Sequence, residues 1–137
     1  MLTNRTVLTV VLVFLLAGTA AAGGSREAGD LIGPEEAFEM VQAGEAILVD
    51  VRDEASYAEV HIAGAILVPY GTVAAAADDL ASRGRTIITY CACPAEESSA
   101  AAAAELITRG MDDVLVLKGG IREWAVAGYP LKSGSRP

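Results

Sequence analysis

Three short apolar runs, each about the length of a β-strand, stand out along the chain at residues 46–51, 86–90 and 113–117. Their apolar residues are nearly continuous rather than alternating, which is typical of parallel strands that are buried on both faces. Stretches with helical spacing or helix-favouring composition separate these runs. Strands that alternate with helices predict an α/β fold, in which a parallel sheet is flanked by helices on both faces.

The residues between the apolar runs indicate where helices begin and end. Pro34 is a favoured first helical residue, and Gly44 is typical of the position just after a helix. Between them Ala37, Met40 and Val41 have the spacing of a buried helical stripe. Helices are therefore predicted from Pro34 to Gly44, over 54–60, from a Thr72 cap to about Ser82, over 96–109 with Gly110 after it, and around Trp124.

The N-terminus has the pattern of a secretory signal peptide. Arg5 precedes an apolar run at 7–17, and small residues follow, with cleavage expected after Ala22. The apolar run is shorter than the roughly 20 residues of a membrane-spanning helix. We expect an exported protein, periplasmic or extracellular; an uncleaved segment would instead anchor it to a membrane. The predicted organisation is a signal peptide at 1–22, a linker at 23–30, one domain at 31–131 and a tail at 132–137.

Charge and cysteine content narrow the possible functions. Acidic residues outnumber basic ones by 18 to 10, for a net charge of −8, so nucleic-acid binding is not expected. The chain has two cysteines, Cys91 and Cys93, and one histidine. A zinc site would lack a fourth ligand, and neither a metal nor another cofactor is expected. A disulfide across one intervening residue would do little to stabilise the fold.

Cys91 directly follows the apolar run at 86–90 and precedes a predicted helix. In parallel α/β sheets, ligands bind at the carboxyl ends of the strands. The first N–H groups and the dipole of the following helix stabilise a nearby anion such as a thiolate. Cys91 is therefore the candidate for catalysis.

The segments on either side of Cys91 resemble the signatures of rhodanese-like domains. The matching segments are 48–52 (LVDVR), 57–66 (YAEVHIAGAI), Pro69, 87–91 (IITYC), 117–121 (LKGGI), Trp124 and 128–131 (GYPL). The resemblance covers nearly all of the chain from about residue 31 to 131, with the motifs in the family's order.

The resemblance implies a sulfurtransferase. Cys91 would take the outer sulfur of a small donor such as thiosulfate or a persulfide, hold it as a persulfide and pass it to a thiol acceptor. Structural rather than catalytic roles are expected for the Asp50–Arg52 pair, for His61 and for Trp124. Gly119 and Gly120 are expected to form a turn near the site, because glycine permits backbone conformations that other residues resist.

The loop after Cys91 departs from the family, with a Cys-x-Cys-Pro pattern and no Lys or Arg. It comprises Ala92, Cys93, Pro94, Ala95, Glu96, Glu97 and Ser98. Nearby carboxylates are expected to raise the pKa of a thiol, and the absence of a cation weakens the binding of an anionic donor. The missing arginine also argues against phosphatase or arsenate reductase chemistry, which needs a guanidinium to hold an oxyanion.

Three functional alternatives remain open. The first is sulfur transfer through Cys91, although Cys93 fits the nucleophile better when the loop is counted back from the helix. The second is a redox-active Cys91/Cys93 dithiol, or a Cys93 that resolves a Cys91 persulfide. The third is a non-catalytic binding module that uses the same pocket.

Overall fold

The computed structural model describes residues 25–137. The predicted signal peptide, at 1–22, and the start of the linker lie outside the described residues. The elements are β1 (Leu31–Ile32), α1 (Pro34–Gln42), β2 (Ala46–Asp50), α2 (Glu54–Glu59), β3 (His61–Ile62), β4 (Ile66–Leu67), a 3₁₀ helix (Tyr70–Thr72), α3 (Val73–Ser82), β5 (Thr86–Tyr90), α4 (Glu97–Thr108), β6 (Val114–Leu117), α5 (Gly120–Val126) and β7 (Leu131–Lys132). Within the described residues, no helix is both long enough and apolar enough to cross a bilayer.

The main sheet has the order β1-β6-β5-β2-β4, and all its pairings are parallel. A second, antiparallel pair joins β3 to β7. The predicted α/β fold with a parallel sheet is confirmed. Since β5 is the central strand, its carboxyl end, where Cys91 lies, has strand neighbours on both sides.

The two faces of the sheet carry separate apolar clusters. Ile47 and Val49 of β2 and Ile87 of β5 pack in one cluster with buried residues of α3 and α4. Leu48 and Ile88, the alternate residues, pack in the other with residues of α1 and α5. Because side chains alternate along a strand, both faces of each central strand are covered, which explains the continuous apolar runs. The predicted helices on both faces are confirmed.

The predicted helix boundaries hold at Pro34 but differ at Thr72 and Glu96. Pro34 is the first residue of α1. Thr72 precedes α3 but does not cap it with its side chain, so that prediction is wrong: its hydroxyl donates to the Pro69 carbonyl at 2.8 Å. Glu96 was predicted to begin the fourth helix, but it is a left-handed residue just before α4.

The paired charges of Asp50 and Arg52 lie beside the central strands. Asp50 is fully buried and accepts from Arg52 Nε at 2.9 Å and from the Arg52 backbone N–H at 3.0 Å. The guanidinium also donates to the Val60 carbonyl at 2.7 Å and lies 5.9 Å from the Tyr90 ring centre. These contacts join the end of β2 to the residue before β3.

His61 and Trp124 are both buried among aromatic residues. His61 stacks on Tyr57 at 3.8 Å between ring centroids, and its Nδ1 lies 2.8 Å from the Tyr57 carbonyl. Trp124 donates from Nε1 to the Pro130 carbonyl at 3.1 Å and contacts Phe38 edge-on. The contacts of both rings are with the framework and not with the loop after Cys91.

Candidate functional site

Cys91 is the first residue after β5 and begins the loop that leads to α4. The strand alternation directs its side chain to the same face as Ile87, the face covered by α3 and α4. Its relative exposure is 1%. The thiol therefore lies under the start of α4, a 12-residue helix, as the sequence predicts for a strand-end cysteine.

Two polar groups contact the Cys91 sulfur. The backbone N–H of Cys93 donates to Cys91 Sγ at 3.3 Å, and the Ser99 hydroxyl lies 3.5 Å from the same sulfur. Ser99 is fully buried, and its hydroxyl donates to the Glu96 carbonyl at 3.0 Å. A backbone N–H directed at sulfur stabilises a thiolate more than a neutral thiol.

Cys93 is the accessible thiol of the pair. It is partly exposed, and its sulfur lies 3.4 Å from the Ser98 hydroxyl. Hydrogen bonds from the Ser98 side chain, the Ser98 backbone N–H and the Cys91 side chain lower the pKa of Cys93, against burial and the Glu97 charge, which raise it. The expectation that the acidic loop raises the thiol pKa is therefore wrong for Cys93, because the Ser98 hydrogen bonds outweigh the nearby carboxylate.

Replacing Ser98 by alanine should raise the pKa of Cys93 towards its ordinary value. A lowered pKa keeps Cys93 as a thiolate down to a lower pH than an ordinary cysteine, and only the thiolate is alkylated rapidly. The rate of iodoacetamide alkylation at Cys93, followed by tandem mass spectrometry against pH, should therefore have its midpoint at a higher pH in Ser98→Ala. Ser82→Ala, an exposed hydroxyl that bonds within α3, is the matched control. Equal midpoints in all three proteins would contradict the role given to Ser98.

Both ends of the loop are attached to the segment 119–121. The Ile121 N–H donates to the Cys91 carbonyl at 3.1 Å, and the Gly119 N–H donates to Glu96 Oε1 at 2.6 Å. Gly120 has a φ of 54° and packs so closely that a Cβ there would lie 2.0 Å from the Cys91 carbonyl oxygen. The glycine pair thus forms the expected turn, and the turn touches the loop at Cys91 and at Glu96.

Ser99 and Thr89 contribute to the site although neither was among the candidate residues. Thr89 is buried in β5, and its hydroxyl donates to the Ser99 carbonyl at 2.9 Å. This bond ties the first turn of α4 to the strand that carries Cys91. The available signal was the hydroxyl pair 98–99 at the start of an alanine-rich helix, where serines at that point contact the preceding loop.

Two further searches of residues 25–137 found nothing at this loop. A cleft of about 280 Å³ lies at the opposite end of the sheet, lined by residues 81, 84, 85 and 110–113, and it is remote from both cysteines. Among the described residues, no group of three or more His, Cys, Asp or Glu side chains could hold a metal ion. The chemistry of the loop is therefore argued from its thiols, hydroxyls and backbone N–H groups.

Comparison with known proteins supports the fold and a family. The family model described as Rhodanese-like domain matches residues 33–127. The chain is 36% identical over 104 residues to a protein named Thiosulfate sulfurtransferase GlpE from Pseudomonas fluorescens, an alignment that covers 76% of this chain and 91% of the relative.

Solved structures show the same architecture. The rhodanese-like domain of the Anabaena protein Alr3790 superposes with a TM-score of 0.68 at 26% identity, covering 79% of this chain and 80% of that one. A thiosulfate sulfurtransferase from Pseudomonas aeruginosa superposes with a TM-score of 0.70 at 27% identity, covering 77% of this chain and 20% of that one. The described fold is thus shared both by a separate domain and by part of a longer chain.

Proposed function

Because the chain belongs to the rhodanese-like family of sulfurtransferases, we propose that it transfers sulfane sulfur through a persulfide on Cys91. One observation carries the assignment to this residue. Cys91 ends the central strand, and its sulfur accepts the Cys93 N–H inside a loop that is fixed at both ends to residues 119–121. Such a fixed donor supplies stabilisation without reorganisation when the sulfur becomes charged.

The proposed reaction has two sulfur transfers. The Cys91 thiolate attacks the outer sulfur of a small donor, the donor's bond to that sulfur breaks, and the rest of the donor leaves with the electron pair. An acceptor thiolate then attacks the outer sulfur of the Cys91 persulfide, and the Cys91 thiolate leaves. The Cys93 N–H stabilises Cys91 Sγ whenever it carries charge, before the first transfer and after the second.

Intact-mass spectrometry tests the proposal on the unmodified chain. After treatment with thiosulfate or with a persulfide donor and removal of excess reagent, we expect the protein to gain one sulfur atom, mapped to Cys91. A thiol acceptor should then remove it. No gain from any donor would contradict the sulfurtransferase proposal and favour the non-catalytic binding module.

A redox role for the cysteine pair is the second candidate, favoured by the lowered pKa of Cys93 and its hydrogen bond to Cys91. The Cys93 thiolate would attack Cys91 Sγ in the persulfide, form the bond between the two Sγ atoms and release hydrosulfide. A thiol reductant would then restore both thiols. The same spectra distinguish this route, since its product has lost two hydrogens and gained no sulfur.

We also propose that the protein acts outside the cytoplasm, on the basis of the charged, apolar and small-residue pattern over residues 1–22. The mass of the protein recovered from its native host tests this proposal. A chain that begins at Gly23 supports it, and an intact N-terminus contradicts cleavage.

A further inference from the structure

The backbone at Glu96 marks the point where the loop is held most specifically. Among the described residues, Glu96 is the only one other than glycine with a positive φ, at 53°. A left-handed conformation is unfavourable for a residue with a Cβ and requires compensating contacts. Here the Glu96 carbonyl accepts from the Ala100 N–H at 2.7 Å and from the Ser99 hydroxyl at 3.0 Å. The side chain adds the bond to the Gly119 N–H at 2.6 Å.

These contacts fix the Glu96 carboxylate in the loop that holds both thiols. Glu96 is only partly exposed, whereas Glu97, the next residue, is exposed and makes no side-chain hydrogen bond in the described part of the chain. The Gly119 N–H that Glu96 occupies is a polar group of the site's backbone. That N–H is bonded to the protein's own carboxylate instead of being offered to an oxyanion of a donor.

No basic side chain neutralises this carboxylate among residues 25–137. The ion pairs found there join Arg26 to Glu36, Arg52 to Asp50, Arg83 to Asp79 and Arg109 to Glu105, all away from the loop. Lys118 and Arg122 flank the glycine turn but are exposed and make no hydrogen bond to the loop. The thiols therefore lie beside a fixed negative charge.

We propose that Glu96 determines donor specificity, by disfavouring dianionic donors such as thiosulfate relative to donors with one negative charge or none. The inference rests on the proposed sulfur transfer. With thiosulfate, the Cys91 thiolate takes the outer sulfur and sulfite leaves with the bonding electrons. With a thiosulfonate the same bond breaks and a sulfinate leaves. The second donor brings one negative charge fewer to the carboxylate, so it meets less repulsion.

Comparing these two donors in Glu96→Gln tests the proposal. Glutamine keeps an oxygen that accepts the Gly119 N–H and removes the charge. The rate of sulfur gain is measured by intact-mass spectrometry with thiosulfate and with benzenethiosulfonate. At low ionic strength we expect the thiosulfate-to-thiosulfonate rate ratio to rise about three- to tenfold in Glu96→Gln. The rise should shrink in high salt, which screens exposed charges.

Glu97→Gln is the matched control, since it removes an exposed charge one residue away without touching the Gly119 bond. It should change the ratio less than half as much. An unchanged ratio in Glu96→Gln, or an equal change in Glu97→Gln, overturns the inference but leaves sulfur transfer standing. No sulfur gain from either donor in the wild-type chain overturns the proposed function, and the inference with it.

Discussion

Replacing Cys91 by serine should abolish sulfur gain, a loss on the order of a thousandfold or more. The serine hydroxyl fits the space of the thiol and keeps an acceptor for the Cys93 N–H, which lies 3.3 Å from the sulfur. It cannot form a persulfide, because the neutral hydroxyl is a far weaker nucleophile towards sulfur than a thiolate. The measurement is intact mass after donor treatment, with urea unfolding to show that the variant is folded.

Cys93→Ser is the matched control for this change, because it removes the other thiol of the same loop. Cys93 is the accessible thiol and Cys91 is almost completely buried, so the pair separates accessibility from position at the strand end. We expect Cys93→Ser to gain sulfur on Cys91. The reverse pattern, with sulfur gain lost only in Cys93→Ser, would contradict the assignment and move the persulfide to Cys93. A longer-lived persulfide in Cys93→Ser would support the resolving role.

The central strands could be predicted from the sequence to within one residue at each end. β2, β5 and β6 are buried on both faces, so almost every position in each run is apolar. The strands β1, β3, β4 and β7 were not predicted, since each has only two residues. Two residues carry no detectable periodicity, and such strands form because a neighbour offers hydrogen bonds, as β6 does for β1.

The candidate site was predictable where it depends on local order, and not where it depends on distant contacts. The position of Cys91 follows from the strand that precedes it. The conformation of Glu96 does not follow from local propensity, which favours helix for glutamate, because it is stabilised by a bond to Gly119, 23 residues further along the chain. The pKa of Cys93 was expected in the wrong direction for a related reason, since hydrogen bonds from Ser98 depend on how the loop meets α4.

Replacing Gly120 by alanine should give the largest loss of stability of any single methyl addition near the site. The new Cβ would lie 2.0 Å from the Cys91 carbonyl oxygen and 3.0 Å from its carbonyl carbon, and both are backbone atoms that cannot rotate away. The backbone at Gly120 also has a φ of 54°, which side chains with a Cβ resist. We expect a loss of about 3–5 kcal/mol in the free energy of unfolding, from steric overlap and backbone strain together.

Gly128→Ala separates these two causes, because Gly128 has a φ of 79° and no atom within 4 Å of the added Cβ. Backbone strain alone should cost about 1–2 kcal/mol there. Urea unfolding followed by the fluorescence of Trp124, the single tryptophan, measures both variants. Where Gly120→Ala remains folded, its rate of sulfur gain should also fall, because relief of the overlap displaces Cys91 from its N–H donor. Equal losses of stability in the two variants would show that the contact with the Cys91 carbonyl does not constrain the loop.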